Sequence, residues 1–119
     1  MPPIERDDIF LADAERVYDI IYQRRDFSIG IRPIRASELC RKLNISPTHG
    51  QYIREIIHYL RSQANPICAN SNGYFWAKTP DELQESIDSL KGRARSILQA
   101  RQGLLLAYKK HFNLNMELM

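Results

Sequence analysis

In a chain of 119 residues the groups with the most chemical potential are His49, His58 and His111, together with Cys40 and Cys68. His49 and His58 are nine residues apart, so on one helix they face opposite ways, and His111 is distant. A metal site needs three or four convergent donors, and no carboxylate or thiolate stands at ligand spacing from these imidazoles. His49 projects toward the core side of its helix and is expected to be buried and hydrogen bonded. The cysteines form no CxxC pair, which leaves a zinc ribbon and a disulfide framework unsupported; both read as small core hydrophobes. There is no Gly-rich phosphate loop, no GxSxG turn and no cysteine with an identifiable base. The expectation is no enzyme, no catalytic residue, no metal and no cofactor.

The remaining chemistry is recognition by polar and basic side chains on a helix. Projecting residues 47–62 at about 100° per residue, with Ile53, Ile56, Ile57 and Leu60 inward, leaves Thr48, Gln51, Glu55, His58 and Ser62 outward. Tyr52, Tyr59, Arg54 and Arg61 flank that face. A glutamine can make two bonds to adenine, and Thr48 could reach a phosphate or a thymine methyl. Arg54 and Arg61, seven apart on one flank, suit backbone phosphates, and Arg41, Lys42 and Lys78 could add to them. Glu55 is out of place there unless it accepts a bond from a cytosine amine or pairs with a neighbouring arginine. The competing reading is a solvated helix face.

The charge distribution agrees with the recognition reading. The chain carries a formal charge of +3, divided unevenly: residues 1–26 are net −3, residues 27–78 net +5 and residues 79–119 net +1. The basic middle permits a polyanionic partner. No run of eighteen apolar residues exists and residues 1–8 carry acids where a secretory signal would carry bases, so no membrane association and a reducing, cytoplasmic compartment are expected.

The elements that must hold these residues follow from spacing. Ala14, Val17, Tyr18 and Ile21 mark an amphipathic helix that Asp13 could cap and that should end near Arg25 or Asp26. A loop from Phe27 then leads to a short extended piece at 31–34, because the residue before Pro33 is biased away from helix. Ser37 can cap a short helix with Leu39, Cys40 and Leu43 inward, stopped at Asn44, which tolerates a left-handed backbone. Ile45 plugs the corner. Ser46 and Pro47 read as an N-cap and first helical residue of the next helix. The runs 66–69 and 74–77 flank an Asn/Gly turn and read as a hairpin.

A short helix, a tight turn, a longer helix and a hairpin, in that order, match a known pattern. Residues 34–77 resemble the winged helix-turn-helix domains of bacterial and phage DNA-binding proteins, through Ser37-Glu38-Leu39, Leu43-Asn44-Ile45-Ser46, Tyr52-Ile53-Arg54, Leu60-Arg61, Pro66-Ile67 and Gly73-Tyr74-Phe75. The resemblance implies that the second helix enters the DNA major groove and that the hairpin, as a wing, touches the backbone or minor groove. Residues 79–98 look like the tail of small phage or prophage winged-helix proteins. Two departures stand out. Ala64 and Asn65 occupy the place where relatives carry glycine before the proline, so Asn65 is expected to take the positive φ. The wing tip, residues 70–73, lacks the Arg or Lys used on phosphate.

Thr79, Pro80, Asp81 and Glu82 form a complete capping box with proline at the first helical position. Apolar residues then recur in steps of four and three from Leu83 through Ile87, Leu90, Ala94 and Ile97, with Arg101 in the same series before Leu104 and Tyr108. Leu98 and Leu105 widen the stripe. A helix over 80–110 would extend about 45 Å, and the seam of Leu90, Ala94, Ile97, Leu98, Leu104, Leu105 and Tyr108 suggests a homodimer. Gly92, Gly103 and the seam positions of Ala94 and Arg101 argue against a long tight zipper.

The expected architecture is mainly α with a small β-hairpin: a winged helix-turn-helix domain at 1–78, a long amphipathic helix at 79–112 and a tail at 113–119. The expected function is binding of double-stranded DNA, regulating transcription or replication of a phage or mobile element. The alternative is a protein-interaction module, an adaptor or inhibitor, in which the last helix grips a protein partner.

Overall fold

The computed structural model describes residues 6–112; the expected tail at 113–119 lies outside them. The chain is α+β and mainly helical. Helices α1 (Arg6–Gln23), α2 (Ala36–Lys42) and α3 (Gly50–Ser62) precede strands β1 (Ile67–Asn70) and β2 (Gly73–Trp76), and α4 (Pro80–Phe112) closes the order. The chain divides into two compact units between Leu83 and Gln84, inside the start of α4 rather than ahead of it.

The first unit is built on apolar stripes that match helical and strand periods. Ala14, Val17 and Ile21 of α1, Leu39 and Cys40 of α2, and Ile53, Ile56, Ile57 and Leu60 of α3 are buried together with Ile34, Leu43 and Ile67. Burying each large aliphatic side chain contributes about 1.5–3 kcal/mol. Aromatic residues close the edges. Phe10 meets Tyr52 and Tyr59 edge-on at 6.0 and 5.6 Å between ring centres, and Trp76 meets Tyr18 and Tyr22 at 5.6 and 5.0 Å.

β1 and β2 form an antiparallel hairpin with Asn70 opposite Gly73, and the Asn70 side-chain oxygen accepts from the Asn72 amide at 2.8 Å. The extended piece before α2 joins the sheet at a single residue: Ile34 and Tyr74 exchange both backbone hydrogen bonds, at 2.9 and 2.8 Å. Gly73 permits this approach. Its φ is +130°, and a Cβ there would lie 2.3 Å from the Ile34 carbonyl oxygen, a distance no side chain tolerates.

Several local expectations are corrected. α1 begins at Arg6, so Asp13 lies inside the helix instead of capping it. Arg35, not Ser37, is the N-cap of α2, with no side-chain cap bond. α3 starts at Gly50 rather than Pro47. Residues 46–49 form a turn closed by the His49 amide on the Ser46 carbonyl at 3.1 Å, and the Ser46 hydroxyl contacts the Thr48 hydroxyl at 2.9 Å. Proline suits the second position of such a turn as well as a first helical position, which is why the sequence reads both ways. His49 is the exposed N-cap residue of α3, not a core residue.

Asn44 takes the left-handed conformation, φ 59°, as its type allows. After α3 the positive φ falls on Ala64 (64°) instead of Asn65. The Asn65 side-chain amide is used elsewhere, donating to the Leu60 carbonyl at 2.9 Å, which also accepts the Gln63 and Asn65 backbone amides at the helix end.

Two arginines are structural. Arg24 donates to the carbonyls of Ile31, Arg32 and Pro33, the latter two at 3.2 Å, and so holds the loop before Ile34. Arg32 is buried, 4% exposed; its guanidinium lies over the Phe75 ring at 4.7 Å and pairs with Glu82 in the first turn of α4. The capping box at that turn forms with a variation. The Glu82 amide donates to Thr79 Oγ1 at 3.2 Å, and the Glu82 carboxylate takes the Lys78 amide at 2.8 Å, one residue earlier than the usual reciprocal bond.

Among the described residues, the second unit, taken by itself, is the remainder of α4. It carries no buried residue. Ile87, Ile97, Leu98, Leu104 and Phe112 are exposed, and Tyr108 meets Phe112 at 5.6 Å between rings.

Candidate nucleic-acid interface

The outward side of α3 exists because its inward side is fully spent on the core. With Ile53, Ile56, Ile57 and Leu60 buried, Gln51, Arg54, Glu55, His58 and Ser62 are exposed. Arg54 Nη1 donates to Gln51 Oε1 at 2.9 Å, one helical turn away, so the two form a linked amide and guanidinium at the start of the helix. That pair offers donors from both side chains toward an acceptor-rich surface. Ser62 turns back to the Tyr59 carbonyl at 2.6 Å.

Other residues of the expected site are placed differently. Thr48 is exposed but lies in the turn ahead of the helix. Tyr52 is half-buried and its hydroxyl donates to Asp13 Oδ2 at 2.5 Å, which directs it to α1. Arg61 is half-buried, and its Nε donates to the Ile67 carbonyl at 2.8 Å, tying the end of α3 to β1. Arg41 and Lys42 are exposed at the end of α2, where Arg16 also reaches the Lys42 carbonyl. Lys78 is exposed and pairs with Asp26 at 3.2 Å. Arg35, exposed beside Ile34, is a further surface cation that helix projection did not select.

Acidic groups lie beside the same helix. A groove of about 1030 Å³ is lined by Asp7, Ile9, Phe10, Asp13, Ile45, His49, Tyr52 and Glu55. Its lining comes from α1, from Ile45 and from the start of α3, and combines aromatic and aliphatic side chains with the carboxylates of Asp7, Asp13 and Glu55. The tertiary pairing that creates it joins residues about forty positions apart, which no local motif announces.

Among the carboxylates, Glu82 is perturbed: hydrogen bonding from Arg32 holds it below the ordinary glutamate range, against the opposing effect of burial. Among the described residues, no cluster of three or more His, Cys, Asp or Glu could hold a metal, and no helix is long and apolar enough to cross a membrane. Cys40 and Cys68 are buried and unbridged.

The expected dimerisation residues share one face of α4. Leu90 (40% exposed), Ile97, Leu98, Leu104 and Tyr108 are exposed, Ala94 is exposed and Leu105 is half-buried. No protein-family model, curated protein or solved structure matches this chain.

Proposed function

We propose that this chain is a non-enzymatic winged-helix protein that binds double-stranded DNA through α3. The succession of α1, the Ile34 bridge, α2, α3 and the β1–β2 hairpin supports the winged-helix reading. The observation that carries the function is the exposed polar side of α3, with Gln51 and Arg54 linked at its N-terminal end and His58 a further turn along. Gln51 and Arg54 serve as base-edge and phosphate contacts, and Arg35, Arg41 and Lys42 as further phosphate contacts. Tyr52 and Arg61 act as positioning residues for the helix. The hairpin tip, Asn70 to Gly73 without a cation, contributes backbone and amide contacts only.

Binding of this kind weakens with salt because each phosphate contact releases a counterion. Fluorescence anisotropy with a labelled duplex near 50 mM salt is the test. Saturable binding that is lost in a Gln51→Ala, Arg54→Ala double variant supports the proposal, whereas no complex at that salt overturns it.

The acid-lined groove favours a second reading, a protein-interaction module. Apolar side chains lining the same groove as Asp7, Asp13 and Glu55 suit a basic amphipathic peptide. Under this reading the Arg54 variant is silent and charge reversal at Glu55 is not.

A further inference from the structure

Helix α4 carries a charge pattern that an isolated helix has no use for. Residues 80–90 contain Asp81, Glu82, Glu85 and Asp88 and no Lys or Arg, whereas residues 91–112 contain six Lys and Arg and no acid. Complementing the helix dipole explains acids in the first turn and bases in the last. It does not explain an all-basic stretch of some six turns. Exposed single helices are steadied by opposite charges four residues apart; here Asp81 and Glu85, and Lys91 and Arg95, are like charges at that spacing. The apolar stripe runs along the same helix, with Arg101 in its middle and Ala94 two turns before it.

We propose that α4 pairs with α4 of a second copy of this chain in antiparallel orientation. A parallel pair would set Arg101 against Arg101 within the apolar seam and align the two basic stretches along their whole length. Reversing one helix separates the two Arg101 side chains and shortens the overlap of the basic stretches, setting residues 105–112 beside the acidic residues 83–90 of the other copy. In the register that places Ile97 beside Leu98 of the second copy, Leu90 meets Leu105, Ile87 meets Tyr108, and Arg101 meets Ala94, whose small side chain leaves room for the arginine stem. Glu85 then lies level with Lys110 of the other copy, and Asp88 lies about 3 Å along the axis from Lys109. The helix backbone dipoles also oppose each other favourably.

The test uses the full chain. Sedimentation velocity at micromolar concentration is expected to give a dimer, and Ile97→Glu, at a position 68% exposed in the single chain, is expected to give a folded monomer by circular dichroism. Orientation is read by pulsed dipolar electron spin resonance on a nitroxide at Gln84→Cys, with Cys40 and Cys68 buried out of reach of the label. The antiparallel register places the two labels about 40 Å apart at ~1.5 Å per residue. A parallel pair, with helix axes ~8–10 Å apart, gives under about 20 Å. A monomeric wild type, an Ile97→Glu variant that stays dimeric, or the short distance overturns the proposal.

Discussion

Arg32 and Glu82, fifty positions apart in the chain, form an ion pair in which the guanidinium is buried and both of its terminal nitrogens reach the carboxylate. Among the described residues the arginine Nε has no partner, and Glu82 supplies all of the side chain's hydrogen bonding. Removing the carboxylate charge strands a buried cation. Glu82→Gln should cost about 2–3 kcal/mol, toward the lower end for breaking a buried pair because Glu82 is partly exposed. Urea unfolding followed by Trp76 fluorescence reads this as a lower midpoint with an unchanged slope.

The same pair makes stability depend on acid. Because the folded-state pKa of Glu82 is lowered, its contribution is fully present above the unfolded value, ~4.3, and is lost as pH falls through the folded value. Unfolding free energy measured from pH 6 downward should therefore drop more steeply below about pH 4.3 in the wild type than in Glu82→Gln. Equal slopes would show that the pair is not linked to folding.

Gly73→Ala should destabilise the first unit by about 3 kcal/mol, combining backbone strain with displacement of the Ile34 strand. Amide exchange at Ile34 and Tyr74, which bond each other across the bridge, should accelerate more than exchange within α3.

Ala64→Gly should act in the opposite direction. Alanine at φ 64° bears a steric cost of about 1–2 kcal/mol that glycine lacks, partly offset by the greater freedom of glycine in the unfolded chain. A net gain of about 0.5–1 kcal/mol in thermal or urea unfolding is expected.

Tyr52→Phe separates positioning from recognition. Losing the bond to Asp13 should cost about 1 kcal/mol of stability, while anisotropy with duplex DNA stays within about twofold of wild type. A tenfold loss of affinity would place the Tyr52 hydroxyl at the interface itself.

What could be read from the sequence was local. Asn44 announces its left-handed turn, residues 79–82 announce a helix start, and the spacing of Ile53, Ile56, Ile57 and Leu60 announces which side of α3 is buried. The errors arise where one local signal serves two geometries or where a distant partner decides. Ser46-Pro47 fits a helix start and a turn equally, and the turn wins because the Ser46 hydroxyl bonds Thr48 rather than α3. Ala64 gives no sign of a positive φ, because alanine does not favour it. The roles of Asp13, Arg24 and Arg32 depend on Tyr52, on three loop carbonyls and on Glu82, and none of these pairings leaves a mark in neighbouring residues. The candidate residues on α3 are legible in the sequence only as a face; that Arg61 turns to β1 is not legible there.

Cys40 lies in α2 and Cys68 in β1, both sealed, with the Cys68 thiol directed at the Glu82 carbonyl at 3.5 Å. Each sulfur is therefore a clock built into a different part of the first unit. Alkylation by a small reagent can proceed only when that part opens, so the two reaction rates report, without any introduced probe, whether the hairpin loosens before the helices do.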